Sequence, residues 1–180
     1  RSLTLRSNWL ARAGDLDGLR RLFVEAETLA TPAAVANEPA LPLLLGELAE
    51  RLQDWPAAER WYGQLRQGEA GERARLRLGI VLGRQQRFDA ALVTLRALQQ
   101  DDAVDGAIRR DAFIAEADQF ESRRQRAAAD AALDRGLAIL EDDPALLVAR
   151  ARLARTAGRF AEAEADLRAV LERDADYAPA

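Results

Sequence analysis

The chain has no cysteine, no histidine and no methionine, and every one of its 26 basic residues is arginine. Each absence closes a class of chemistry. Without Cys there is no disulfide framework, thiolate nucleophile or zinc ribbon. Without His the commonest metal ligand is gone, and with it the side chain that titrates unperturbed near neutral pH. Without Lys there is no phosphate-loop lysine and no Schiff base. The only serines are Ser2, Ser7 and Ser122, with no histidine base to activate them. The absence of Met leads to the expectation of a piece or processed form of a longer product, with room elsewhere for a signal peptide, a lipid anchor or further domains. Long apolar runs are missing too: the longest, about 40–45, is interrupted by Pro42. No segment is expected to span a membrane. A net charge of -4 argues against nonspecific nucleic-acid binding.

What is present is Ala, Leu, Glu and Arg at helical spacing, with strand signals scarce. Ten helices are expected, over about 3–13, 16–30, 39–53, 56–68, 71–85, 88–100, 107–121, 126–141, 145–157 and 160–174. Asp15, Asn37, Asp54 and Asp143 stand where N-caps belong, and Gly158 where a left-handed C-cap belongs.

The segments repeat. RQQRFDAALVTL aligns with RTAGRFAEAEADL, placing Phe88 over Phe160, Ala91 over Ala163 and Leu95 over Leu167. LQDWPAAERWYGQL joins them with Trp55, Ala58, Tyr62 and Leu65, and ARAGDLDGLRRLF is a weaker copy with Leu16, Leu19 and Phe23. An aromatic, a small residue three on and a bulky one four further form one helix face. Ala58 and Ala91 are 33 residues apart, and Ala91 and Ala163 are 72 apart, which is two units with extra length. That extra length is assigned to 121–126, with Ala132 as the intervening small residue. The 39 residues from Leu19 to Ala58 place a further excess in TPAAVANEP.

A helix pair repeating at about 34 residues is the tetratricopeptide (TPR) period. The residues resemble that family: Leu45-Gly46 and Leu78-Gly79 in first helices, and Ala58, Ala91 and Ala163 in second helices. The pair 107–141 departs from it, lacking Leu-Gly and carrying Gly136 where a bulky residue belongs. The resemblance implies an all-α fold: a right-handed superhelix of antiparallel helix pairs, a TPR-like α-solenoid, with residues 1–180 forming one domain of about five pairs. Ala91→Arg is expected to be severely destabilising. Truncating Phe88 or Phe160, both expected in the core, should cost about 3–5 kcal/mol each.

Function is read by elimination and by resemblance. Glu47 and Glu50 share a helix face, but a carboxylate catalyst also needs a pocket and a raised pKa. Asp101-Asp102 and Asp142-Asp143 sit at helix ends without cation-loop spacing. Trp55 and Tyr62 match core positions, whereas Trp61 does not. The chain is therefore expected to be noncatalytic, without metal or cofactor. In TPR proteins the first helix of each pair lines the groove that holds a partner. Carried onto this sequence, the groove takes Glu47, Glu50 and Arg51 from the pair 39–68. It takes Arg73, Arg77, Ile80 and Arg84 from the pair 71–100, and Arg152, Arg155 and Thr156 from the last. Such an Arg-rich groove would suit carboxylates.

Two stretches, 45–62 and 137–180, resemble proteobacterial outer-membrane TPR lipoproteins. One member of that group is an adaptor that brings cell-wall hydrolases to a carboxyl-terminal-processing protease. This resemblance implies a protein or peptide partner, the protease and its substrates among them, at the periplasmic face of the outer membrane. Two alternatives stand beside it: the helical superstructure of a cell-wall enzyme such as a lytic transglycosylase, and an RNA-binding helical repeat.

Overall fold

In a computed structural model, residues 2–65 and 67–173 are described, and among them eleven α-helices and no strands occur. Eight pair off as first and second helices of a repeat: α1 (Ser2–Ala13) with α2 (Leu16–Leu29), α4 (Ala40–Arg51) with α5 (Trp55–Tyr62), α8 (Gly106–Ser122) with α9 (Arg126–Ile139), and α10 (Pro144–Thr156) with α11 (Phe160–Arg173); α6 (Gly68–Arg84) leads through a turn of the same kind into α7 (Phe88–Gln99). The eleventh, α3 (Pro32–Asn37), is a six-residue helix inside TPAAVANEP. There Thr31 accepts a hydrogen bond from the Ala34 N–H and Pro32 opens the first turn. Asn37 thus closes α3 instead of capping the next helix, and Pro39 takes the cap position of α4 with no side-chain bond. No helix is long and apolar enough to cross a membrane.

The register of the repeat is set by its turns. In each pair the second residue before the second helix is left-handed: Gly14 (φ 68°), Gln53 (57°), Gln86 (63°), Arg124 (60°) and Gly158 (78°). The next N–H then bonds six-to-one back into the first helix: Asp15 to Leu10, Asp54 to Ala49, Arg87 to Leu82, Gln125 to Phe120 and Arg159 to Ala154. This is the Schellman closure, which satisfies carbonyls that the helix end leaves open. Counted from these turns, the fourth residues of the last four second helices are Ala58, Ala91, Ala129 and Ala163, at 0–6% exposure. The small residue of α9 is therefore Ala129, not Ala132. The extra length lies ahead of the turn, between Ala91 and Arg124, not in 121–126.

The chain divides into two compact units, Arg1–Thr94 and Leu95–Ala180. In the first unit α2 packs on α4 and α5 on α6, while the first helices α1, α4 and α6 touch in succession. Its core gathers Leu22, Ala26, Leu45, Leu48, Ala58 and Tyr62. In the second unit α9 packs on α10, and α8 touches α10. Its core holds Phe113, Ala129, Leu133 and Leu146.

Four placements differ from expectation. Phe160 is 69% exposed and Leu167 43% exposed, because α11 packs substantially on α10 alone among the described helices. Leu16 is likewise exposed on α2. Phe88 is half-buried. Ala91, by contrast, is fully buried.

Candidate partner-binding face

Where first helices lie side by side, their outward side chains form a continuous strip. In the first unit α4 and α6 supply it. Glu50 is nearly buried there, its side chain 10% exposed. It accepts from the Tyr62 hydroxyl at 2.6 Å and from Arg77 Nε at 2.8 Å, and Arg77 Nη2 bonds its other oxygen. Burial drives the Tyr62 pKa up, and the Glu50 charge and hydrogen bond add to the rise. For Arg77 burial pulls the other way, yet the bonds and charge of Glu50 outweigh it and its pKa is raised. Glu50 is thus a structural carboxylate that ties three helices, which removes it from any catalytic pairing with Glu47.

The other expected groove residues divide into engaged and open. Arg51 donates to Ser7 at 2.5 Å and to Asn8 at 3.1 Å, which links α4 to α1. Arg73 pairs with Glu69 one turn back in its own helix. Arg84 is exposed and makes no ion pair among the described residues, and Glu47 of α4 and Ile80 of α6 are half-exposed. In the second unit Arg152 bonds Asp118 of α8 at 2.5 Å and approaches Glu121 at 3.7 Å. Arg155 is exposed with no ion pair among the described residues, and the Thr156 hydroxyl donates to its own helix at Leu153 O. The expected Arg-rich groove is therefore largely self-neutralised. Arg51, Arg77 and Arg152 each hold a neighbouring first helix, and Arg84 and Arg155 carry the remaining free cations.

Several charged and polar positions were not legible as such. Glu116 is fully buried in α8, accepting from Arg96, Arg135 and Gln99 at 2.8 Å each. A lone acid inside the apolar run AFIAEA was the available signal. Asp166 is also buried, gripped by two nitrogens of Arg150 at 2.9 and 2.7 Å. Those bonds, working against burial, raise the Arg150 pKa. Trp61 is 8% exposed, its indole N–H is buried with no hydrogen-bond partner among the described residues, and the Arg60 guanidinium sits 5.2 Å over its ring. It floors an open cleft of about 610 Å³ with Ala30, Pro32, Val35 and Glu27. Among the described residues no group of His, Cys, Asp or Glu is placed to hold a metal ion.

No protein-family model matches the chain, and no curated protein matches it. Solved structures do. BtubC (BKLC) from P. vanneervenii superposes with a TM-score of 0.63 at 18% identity, over 99% of this chain and 82% of that one. MamA superposes with a TM-score of 0.59 at 18% identity, over 95% of this chain and 97% of that one. A second MamA structure gives 0.55. These neighbours are TPR-like helical-repeat proteins, and the fold of this chain is of that all-α class.

Proposed function

We propose that the chain is a noncatalytic scaffold that binds a protein or peptide partner along its first-helix strips. The observation that supports this is the division of labour among the groove residues. Arg51, Arg77 and Arg152 lock neighbouring first helices together, and Arg84 with Ile80 and Glu47, or Arg155 with Thr156, stay open on that ordered surface. Preorganised helices lower the ordering cost of binding, and unpaired arginines favour a partner with carboxylates. The arginines already spent on internal acids leave little basic surface for tracking phosphates, so the RNA reading is not carried forward.

In its finer form the proposal is an adaptor that brings substrates to a periplasmic carboxyl-terminal-processing protease, held near the outer membrane through a lipid anchor outside this chain. The likeness of 45–62 and 137–180 to lipoproteins of that kind supports it. The test is affinity capture from a periplasmic extract with the parent chain and with Arg84→Glu/Arg155→Glu. The parent is expected to retain a specific partner that the double variant loses, at unchanged helicity. A partner kept equally by both would move the site off this strip. A partner other than the protease or its substrates would end the finer form alone.

A further inference from the structure

One connection between repeats departs from the others, and it borders a tryptophan. The link 30–39 between α2 and α4 is longer than 63–67, 100–105 and 140–143, and it folds into α3, which buries none of its own side chains. Residues of α2, α3, α5 and the links beside them line the cleft of about 610 Å³ over Trp61. In the helix after each turn the seventh residue is Leu22, Thr94, Ala132 or Asp166, and in α5 it is Trp61. That ring is larger than any of these. Its indole N–H is buried with no partner among the described residues, where a buried Trp N–H ordinarily finds one. Ala30, Pro32 and Val35 give the cleft apolar walls, and Gln64 adds an amide. Arg60 Nη2 bonds Glu27 Oε1 at 2.6 Å across it, and the two side chains remain 59% and 33% exposed.

We propose that this cleft binds an uncharged, extended peptide segment, with a proline or branched aliphatic side chain against Trp61, Pro32 and Val35 and its backbone along the Glu27–Arg60 pair. The site is built on second helices and α3, so it is separate from the first-helix strips and does not rest on them. Its chemistry selects the occupant. Glu27 and Arg60 cancel in charge, which leaves no net field to draw in a phosphate, a carboxylate or a cation. A lipid tail would fill the walls but leave the Trp61 N–H, the second Glu27 oxygen and the remaining Arg60 donors unmatched. A helix spends its own backbone N–H and C=O groups internally. An extended chain keeps both kinds free. One of its carbonyls takes the indole N–H as the exposed Arg60 side chain shifts from over the ring, and neighbouring backbone groups meet Glu27 and Arg60. Proline-rich segments dock on aromatic-lined grooves by the same logic.

The test selects a phage-displayed library of random heptapeptides on the full chain, with counter-selection on Val35→Asp, a wall position on a helix that buries no side chain. Uncharged sequences carrying proline, valine, leucine or isoleucine are expected to be enriched. The selected peptide, labelled and followed by fluorescence anisotropy, should bind the parent saturably. Trp61→Phe should bind it about fivefold more weakly, and Val35→Asp about tenfold or more. In a proton–nitrogen correlation spectrum of the parent, the indole N–H signal that Trp61→Phe removes should move downfield when the peptide is added, as a new hydrogen bond requires. No enrichment over the Val35→Asp chain, enrichment of charged sequences, undiminished binding by either variant, or an unmoved Trp61 N–H signal would each overturn the proposal. Dimerisation of the chain alone that Val35→Asp abolishes would assign the cleft to a second copy and overturn it as well.

Discussion

The two units solve one packing problem with the partners exchanged. In the first, the glycine is on the first helix and the ring on the second: a Cβ added to Gly46 would lie 2.3 Å from the Tyr62 ring. In the second, the ring is on the first helix and the glycine on the second: a Cβ on Gly136 would meet Phe113 at 3.0 Å and Leu146 at 3.1 Å. What recurs is a close crossing between a ring and a bare backbone, not a residue type at a fixed position. The exchange also moves the polar chemistry. Tyr62 brings a hydroxyl that must be satisfied and finds Glu50. Phe113 brings none, and the buried acid of that unit, Glu116, is served by Arg96, Arg135 and Gln99 instead.

The largest effects should come from emptying either crossing. Tyr62→Ala and Phe113→Ala should each cost about 3–5 kcal/mol in urea unfolding, with amide exchange rising first in the helices of the altered unit. Tyr62→Phe should cost about 1–2 kcal/mol, because Glu50 loses a bond in a nearly buried place. A Tyr62→Phe chain as stable as the parent would show that the hydroxyl adds nothing and that the two crossings are equivalent. The glycines sharpen the contrast. Gly46→Ala should cost about 2 kcal/mol, since a rigid, buried ring must move. Gly136→Ala meets looser contacts, and the helix-propensity gain of about 1 kcal/mol nearly offsets them. Equal losses at the two sites would break the comparison.

Much of this was legible because the signals are local. Helix periodicity and the caps at Asp15, Asp54 and Asp143 follow from a few neighbouring residues, and each aspartate accepts the expected N–H. The pair 107–141 was obscured because its small and large residues had traded helices, so matching by residue type slid Ala132 into the place of Ala129. The turns would have set the register, but three of the five left-handed positions are Gln53, Gln86 and Arg124 and not glycine. Phe160 reads as core from its own helix, but among the described residues no helix packs over it and it is exposed. The groove was legible as positions but not as chemistry. Whether Arg77 faces a partner or Glu50 depends on a residue 27 positions away, and pairwise distances in space are not written in a local pattern.

Those turns give the next prediction. A side chain in the left-handed region costs roughly 1 kcal/mol that glycine avoids. Gln53→Gly, in the first unit, and Arg124→Gly, in the second, should each raise stability by about 0.5–1 kcal/mol. Gly158→Ala should lower it by about as much. Thermal midpoints rank the three, and a destabilising Gln53→Gly or Arg124→Gly would mean that the side chain, not the backbone, holds that turn.

The smallest expected effect separates the units by pH and salt. Arg87 holds the Glu59 carboxyl below its usual range through hydrogen bonds, against the opposing pull of burial. A depressed carboxylate pKa contributes stability that is complete above the unfolded value, near pH 4.3, and is lost as pH falls through the folded value. Arg87→Ala should therefore cost about 0.5 kcal/mol at pH 7, with the difference from the parent closing in acid once Glu59 is protonated in both chains. In about 1 M salt the cost should shrink, because this pair is partly exposed and is screened. The Glu116 cluster of the second unit is fully buried on its acid side, so removing Arg135 should cost nearly the same at low and high salt. If Arg87→Ala and Arg135→Ala lost stability with the same salt dependence, burial would not be what distinguishes the electrostatics of the two units.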